Sequence, residues 1–373
     1  QPAYDVLQAP NADVVRSAEG HLFGPFIGEL LEHSDRLAVV RGMNMETVAH
    51  AGGRRRFLTG KPPSGILARG SSGSTWLAGR LGQNDLIPNL SLRVEAYNKD
   101  QPNYATALRV STVPDLLRAL RPSDPTLFPT LRRQVDQSLK AAANCPPSLR
   151  SAAWQKAEFA RAKSQEVVKR RLDSLFDFDA RNELMEELRG HYRFNRVDNS
   201  AGVSAALAAQ AITTGVSRCV TVNLVGGLDS HDGNAWTQNH GPTQRTGFDA
   251  VARLVRDLEA RPYDDHSSWL DKTVIVGFSE FSRSPMLNAR GGRDHHITNS
   301  CFLIGGSVRG GQIIGATTDV AMQANPTNTQ TGLVSPDGVF LRPEHILRSL
   351  YDEVGIGAGP DLRVKRLDTL LRT

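Results

Sequence analysis

The chain contains little cysteine, few aromatic residues and no long apolar run. Of its 373 residues, three are cysteine and 6% are aromatic. Cys145, Cys219 and Cys301 lie far apart, which excludes a disulfide framework and a cysteine metal site of recognised spacing. No segment approaches the roughly 18 consecutive apolar residues of a membrane helix, so we expect no membrane span.

The chain also lacks a large excess of charge of either sign. Lysine and arginine number 44 against 39 aspartate and glutamate, and the formal net charge is +5. This small excess favours anionic partners slightly. No basic stripe is interleaved with aromatic residues, which excludes the usual pattern of a nucleic-acid-binding surface. With 39% apolar and 22% charged residues, the composition is that of an ordinary globular chain.

Strand-like and helix-like segments alternate along most of the chain. Apolar, β-branched runs predict strands over residues 36–43, 90–97, 218–227, 272–278 and 301–306. Segments with helical spacing lie between them, and this alternation predicts an α/β fold with a mostly parallel sheet sandwiched by helices. We expect one domain over residues 1–373. Residues 114–198 are almost purely helical in pattern and predict a helical insertion or cap within it.

Side chains that bind metals flank several predicted strands. Asp229 and His231 follow one strand, and Glu280 follows the next. His50 follows the first strand, and His295 precedes the last. Ligand sites of open α/β sheets form beyond the carboxyl ends of strands, so we expect these loops to meet at one edge. Carboxylate and imidazole ligands favour zinc or manganese over calcium.

Two arginines in the same loops offer contacts to an anionic group. Arg54 follows the first strand and Arg293 precedes the last. A guanidinium can bind two oxygens of a phosphate or sulfate at once. Plainer interpretations also stay open: an Asx turn at Asp229, an ion pair between Glu280 and Arg283, and a solvated helix face for the arginine run 54–56. The agreement of independent loops favours a shared site.

Four segments together resemble the DUF1501 family. They read LAVVRGMNMETVAHAGGRRRFLTGKPP, GGLDSHDGN, SEFSRSPMLNARGGRDHH and GGSVRGGQIIGATTD. The family is sulfatase-like, belongs to the alkaline phosphatase superfamily, and is found in bacteria, often exported by the twin-arginine route. The resemblance implies a sulfatase-like fold, a periplasmic or extracellular location, and a site with one or two metals for phosphoryl or sulfuryl transfer.

The resemblance also implies roles for individual residues. His50 aligns with the sulfatase nucleophile and is expected to act as base, nucleophile or metal ligand, and Arg54 aligns with the arginine beside it. Phe281 stands where the superfamily has a further histidine. Arg293 is expected to contact the anionic group. The implied metal ligands are Asp229, His231, Glu280 and His295.

The start of the sequence departs from the family pattern, which has an acidic metal ligand at the end of a first strand. Asp5 and Asp13 lie in loop-like sequence and are poor substitutes. We expect either a longer native chain or a sheet edge completed by an oligomer or another polypeptide. Two functions remain open: hydrolysis of a small phosphate or sulfate ester, and non-catalytic binding of a glycan or protein partner on the same fold.

Overall fold

Strands and helices alternate along the chain, so the predicted α/β class is confirmed. The computed structural model describes residues 14–62, 67–121, 129–233, 235–357 and 362–372. Asp5 and Asp13 lie outside these residues. Within the part of the chain described, no helix is long and apolar enough to cross a membrane.

The elements are numbered here in chain order. The strands are β1 (Val15–Arg16), β2 (Leu22–Phe23), β3 (Leu37–Asn44), β4 (Asn89–Leu92), β5 (Leu108–Val110), β6 (Cys219–Val222), β7 (Pro262–Asp264), β8 (Ser267–Ser268), β9 (Ile275–Phe278), β10 (Ser282–Arg283), β11 (His295–His296), β12 (Thr298–Ile304) and β13 (Gln312–Ile314). The α-helices are α1 (His50–Thr59), α2 (Gly73–Leu81), α3 (Val113–Leu120), α4 (Pro129–Ala143), α5 (Pro146–Arg150), α6 (Ala152–Lys169), α7 (Glu183–Tyr192), α8 (Ala201–Thr213), α9 (Gly241–Ala260) and α10 (Pro343–Glu353). Segments of 3₁₀ helix cover Gly28–Arg36, Asn103–Ala105, Leu172–Leu175 and Leu270–Lys272, and a π-helical turn covers Ala235–His240.

The larger sheet is mixed, so the prediction of a mostly parallel sheet is wrong. Its strand order is β13–β3–β12–β9. β13 runs parallel to β3, whereas β12 is antiparallel to both β3 and β9. Parallel neighbours need a crossover connection that usually contains a helix. Residues 279–297 between β9 and β12 form the β10–β11 ribbon and no helix, and the chain returns in the opposite direction.

A smaller sheet has the order β5–β4–β6, and all three of its strands are parallel. β4 pairs with β5 along one side and with β6 along the other. The carboxyl ends of β4 and β6 therefore lie at the same edge of this sheet.

Helices cover both faces of the larger sheet. Successive side chains of β3 point to opposite faces, as in any strand. Leu37 joins a buried cluster that contains Leu254 of α9. Ala38 joins a second cluster with Phe57 of α1 and Ile346 of α10. The sheet is thus sandwiched by helices, as the sequence predicts.

The region of the predicted insertion is helical where it is described. In residues 114–121 and 129–198 the regular elements are α3 to α7 and the 3₁₀ turn. α7 is integrated into the main core, because Met185, Leu188 and Tyr192 are buried in the same cluster as α8 and α9. The treatment of 114–198 as one inserted unit stays a prediction.

Candidate metal centre

Loops from both sheets bring the predicted metal-binding residues together: the loops after β3, β6 and β9 and the segment before β12. β3 and β9 point the same way, and β12 runs against them. The amino end of β12 therefore lies beside the carboxyl ends of β3 and β9. His295, just before β12, thus reaches the edge that carries His50 and Glu280. In an all-parallel sheet a residue before a strand would lie at the opposite edge.

Helix α1 packs closely against the residues that follow β9. His50 occupies its first turn. Gly53, one turn later, has no side chain, and a Cβ there would lie 2.3 Å from the Glu280 carbonyl oxygen. The helix ends at Gly60, whose φ of 65° gives the left-handed termination that glycine favours. Gly53 therefore permits the close approach that brings His50 to Glu280.

The Asp229 carboxylate is the centre of the cluster. Its Oδ1 lies 3.0 Å from Nε2 of His231 and 3.1 Å from Nε2 of His295. Its Oδ2 lies 3.3 Å from Nε2 of His50. One ligand atom from each of His50, Asp229 and His295 lies within 4.8 Å of the other two. The Asp229 side chain is 50% exposed, so the cluster is open to solvent.

The other ring nitrogen of each histidine faces an acceptor. The Nδ1 contacts are His50 to the Glu280 carboxylate at 2.7 Å, His231 to the Asp294 carboxylate at 2.8 Å, and His295 to the Val48 carbonyl at 2.7 Å. Carbonyl and carboxylate oxygens only accept hydrogen bonds, and the Nδ1 contacts are shorter than the contacts of 3.0 to 3.3 Å between the Nε2 atoms and the Asp229 carboxylate, which favours a proton on Nδ1 of each neutral ring. The hydrogen bonds from His231 and Asn288 lower the pKa of Asp294, which keeps it ionised. In that tautomer the three inward Nε2 atoms are available to bind an ion.

Three histidine nitrogens therefore converge on one carboxylate at the centre of the site. Nε2 of His231 lies 3.0 Å from Nε2 of His295, and both face the Asp229 carboxylate. In the Nδ1 tautomer these nitrogens and the carboxylate repel one another at these distances unless a positive charge lies among them. Metal-bound histidines commonly show this pattern, with Nδ1 held by an acceptor and Nε2 turned to the ion. The arrangement fits a divalent cation.

Arg283 provides a positive charge from the protein itself. One terminal nitrogen donates to Oδ1 of Asp229 at 2.6 Å, and the other lies 3.4 Å from Nε2 of His231. In the β10–β11 ribbon Arg283 is paired directly with His295, so both side chains project from the same face. Burial opposes ionisation of Asp229, but the Arg283 guanidinium holds the pKa of that carboxyl well below its usual range.

Four of the residues predicted from sequence come together here. They are His50, Asp229, His231 and His295. Glu280 lies on the outer side of His50, where it contacts Nδ1. The interpretation that Arg283 pairs with Glu280 is wrong, because the Arg283 guanidinium donates to Asp229 and to the Arg293 carbonyl.

Arg54 and Arg293 lie in very different environments. Arg54 is 42% exposed, and its guanidinium is 3.5 Å from Glu95. Arg293 is buried, with its guanidinium carbon 4.2 Å from the Trp236 ring centroid and a hydrogen bond to the Ser284 carbonyl. Arg54 is therefore the more accessible of the two for an anionic ligand.

The arginine run 54–56 is not a solvated face. Arg55 is partly buried against Tyr97 and Glu95. Arg56 is fully buried between the carboxylates of Glu46 and Glu344, at 3.0 and 2.6 Å. Successive helical residues project about 100° apart, so adjacent arginines meet three different environments.

Phe281 closes the inner side of the cluster. It is buried, and its ring centroid lies 5.0 Å from that of His50 and 4.2 Å from that of His295. His296 points away, with Nδ1 2.7 Å from the Thr298 hydroxyl and Nε2 3.0 Å from the Ala321 carbonyl. Of the adjacent residues His295 and His296, only His295 joins the cluster, because successive side chains of a strand point to opposite faces.

Two residues beside the site were not identified from sequence. Glu95 and Tyr97 follow β4 and contact the arginines of α1. The sequence predicts a strand over residues 90–97, which contains both of them, whereas β4 ends at Leu92 and leaves them beyond its carboxyl end, where ligand sites form.

These features define an α/β protein with a histidine–carboxylate cluster suited to a divalent cation at the edge of its sheet. The chain belongs to the DUF1501 family: the model of that family, described as "Protein of unknown function (DUF1501)", matches residues 10–332. The family resemblance of the sequence is thereby confirmed. No curated protein matches the chain.

Proposed function

We propose that the protein is a metal-dependent hydrolase of phosphate or sulfate esters with a sulfatase-like fold. The observation that carries this proposal is the convergence of three histidine Nε2 atoms on the Asp229 carboxylate. An open site of this kind leaves a coordination position for substrate or water, as catalytic metal sites do.

Zinc or manganese is the proposed ion. Imidazole nitrogen is a poor ligand for calcium and a good one for zinc. In a tetrahedral zinc site with bonds of about 2.0–2.1 Å, neighbouring ligand atoms lie about 3.3–3.4 Å apart. The separations of 3.0 to 3.3 Å between Asp229 and the Nε2 atoms are close to this value, and the group within 4.8 Å of one another is His50, Asp229 and His295. Glu280 is then proposed to orient His50 instead of binding the ion.

The residues of the chain have complementary parts in this proposal. A bound ion would polarise the ester and lower the pKa of a water molecule to about 7. The Arg283 guanidinium lies beside the Asp229 carboxylate. Its positive charge would stabilise the negative charge that develops on the ester oxygens during the reaction. Arg54, on the exposed side of α1, binds the anionic group. Glu280 and Asp294 hold the rings of His50 and His231 in the required tautomer.

A second candidate function is non-catalytic binding of a glycan or a partner protein. Arg283 favours it, because its guanidinium already neutralises Asp229 without any ion. Phe281 also favours it, since an apolar ring stands where the superfamily has a histidine. Under this alternative the cluster is a structural network of histidines, carboxylates and one arginine.

Metal content separates the two functions. We expect about one zinc or manganese ion per chain in protein purified without chelator, measured by elemental mass spectrometry. His295→Gln removes a proposed ligand and should abolish binding. His296→Gln is the matched control, because His296 bonds to Thr298 and Ala321, and it should bind metal as the wild type does. Metal-free, folded wild-type protein that takes up no added zinc or manganese would contradict the hydrolase proposal.

Activity is tested on nitrophenyl esters with the same variants. Metal-loaded wild type should release nitrophenol from a phosphate or sulfate ester, and chelation should stop the reaction. His295→Gln should reduce the rate at least about 100-fold, since the ion supplies several kcal/mol of charge stabilisation. Bound metal without hydrolysis of any ester would favour the binding function.

Export to the periplasm or cell exterior belongs to the same proposal and rests on the family alone. Fractionation of cells that produce the native full-length chain should place it outside the cytoplasm. The same preparation, run through size-exclusion chromatography with mass detection, tests for an oligomer or a partner polypeptide at the sheet edge.

A further inference from the structure

The loop after β4 contacts the face of α1 that carries the site. Arg54 follows His50 by four residues, so the two side chains project from the same face one turn apart. Glu95, in the loop after β4, lies 3.5 Å from the Arg54 guanidinium through Oε1. A fixed negative charge is therefore adjacent to the arginine best placed for an anionic ligand.

Glu95 is held rigidly from its other side. Tyr97 donates its hydroxyl hydrogen to Oε2 of Glu95, and Nε of Arg55 lies 3.6 Å from the same oxygen. Burial, and then the hydrogen bond to Glu95, raise the pKa of Tyr97, so the phenol keeps its proton and remains a donor. The Tyr97 backbone is in turn fixed to Ser72 by hydrogen bonds of 2.9 and 3.0 Å. The carboxylate is thus anchored in place.

Arg54 is the more exposed of the two arginines that contact Glu95, and its contact is loose. Its length is 3.5 Å, at the limit of a hydrogen bond, and the Arg54 side chain is 42% exposed. The Glu95 side chain is 28% exposed. Arg54 can therefore turn toward a ligand while Glu95 stays where it is, close to the bound anion.

We propose that Glu95 is a charge filter that favours singly charged esters over doubly charged ones. The inference rests on the proposed function in that it places the ester beside the histidine cluster and Arg54. Coulomb repulsion scales with the charge of the ligand, so Glu95 opposes a dianion about twice as strongly as a monoanion. The favoured substrates are sulfate monoesters and phosphate diesters, and the disfavoured ones are phosphate monoesters.

The test uses two ligands of similar shape and different charge. Phenylphosphonate is doubly ionised in mildly alkaline buffer, whereas benzenesulfonate carries one charge. Their affinities for zinc-loaded protein are measured by calorimetry. Glu95→Gln should tighten phenylphosphonate binding about tenfold and benzenesulfonate binding about threefold. An equal change for both ligands, or a larger one for the sulfonate, would overturn the proposal.

Three control variants test whether the change in ligand preference comes from the charge of Glu95 or from the structure of its loop. Glu166→Gln removes a carboxylate from the exposed pair with Arg170 on α6, and should change either affinity less than twofold, or about 0.4 kcal/mol. Tyr97→Phe and Glu95→Asp keep the negative charge. Their preference between the two ligands should stay within about twofold of wild type, even if the loop is less rigid. A shift in preference as large as that of Glu95→Gln would assign the effect to loop structure and overturn the charge filter.

The experiment separates this inference from the proposed function. Neither ligand has an ester bond, so binding does not depend on turnover. Selective binding without hydrolysis of any ester would support the filter and contradict the hydrolase. Hydrolysis that prefers phosphate monoesters would support the hydrolase and overturn the filter. Nitrophenyl sulfate and bis(nitrophenyl) phosphate then identify which singly charged ester is used.

Discussion

At the level of single residues, the Nδ1 contacts decide which nitrogen of each histidine can bind an ion. The acceptors are two carboxylates and one backbone carbonyl, so each ring is fixed by a different loop. Carboxylate and carbonyl acceptors both fix the tautomer and the orientation of a metal-binding imidazole. Glu280 and Asp294 therefore orient His50 and His231, and the Val48 carbonyl orients His295.

Glu280→Gln tests this division between ligand and orienting residue. The amide oxygen can still accept from Nδ1 of His50, but the charge is lost. We expect zinc affinity to fall about 10- to 100-fold with stoichiometry unchanged, as measured by competition with a chromophoric chelator. Asp229→Asn, at the centre of the cluster, is the comparison and should abolish binding. Complete loss of the ion in Glu280→Gln would mean that Glu280 is itself a ligand.

At the level of elements, helix α1 joins the candidate site to the core. Its first turn carries His50, and its buried face carries Arg56 between Glu46 in the β3–α1 connection and Glu344 in α10. Glu46 has a φ of 57°, a left-handed conformation that is strained in a residue with a side chain. The ion pairs of Arg56 therefore hold both the helix and the connection that precedes it.

Arg56→Met should destabilise the protein by about 3–5 kcal/mol, because it removes the shorter ion-pair contact of the buried Glu344 carboxylate and leaves it only the longer contact with Arg342. Urea unfolding followed by circular dichroism measures the loss. Arg54→Met, on the exposed side of the same helix, is the matched control and should change stability by less than about 0.5 kcal/mol. The double variant Arg56→Met/Glu344→Met should recover part of the loss. Equal stability of the Arg56 and Arg54 variants would contradict this account.

At the level of the whole molecule, Glu29 ties the N-terminal 3₁₀ segment to the helical core. Its carboxylate lies 2.8 Å from each of three guanidinium groups, those of Arg193, Arg253 and Arg256. Burial opposes its ionisation, but the hydrogen bonds from Arg253 and Arg256 lower the pKa of Glu29 to about 2. A carboxyl whose pKa is lower in the folded state stabilises the fold at neutral pH.

Glu29→Gln should therefore lower the free energy of unfolding at pH 7 by about 3 kcal/mol. The stabilisation by Glu29 is complete above its unfolded pKa near 4.5 and is lost as the pH falls toward 2. The difference between wild type and variant should shrink across that interval, measured by urea unfolding at a series of pH values. Glu32→Gln, at an exposed site that contacts only Arg256 among these arginines, is the control. A difference independent of pH would contradict the linkage.

Much of the site could be predicted because its residues are local to strand ends. Asp229, His231, Glu280 and His50 are metal-binding or orienting types placed directly after apolar strands, and that pattern is visible in sequence. The pairing of Arg283 was not predictable, because it depends on the antiparallel register of β10 with β11. Glu95 is far from the other residues in sequence and meets them only through the parallel pairing of β4 with β6.

The sequence by itself determined the α/β class, the approximate position of each main strand and the residue types that follow it, because hydrophobic periodicity and side-chain chemistry are local properties. Only the tertiary structure decided the direction of β12, the burial of Arg56 and the nitrogen that each histidine turns inward. Strand direction depends on the connection and on packing of both faces, and a tautomer depends on partners from other loops. The antiparallel course of β12 is what brings His295 to the same edge as Asp229.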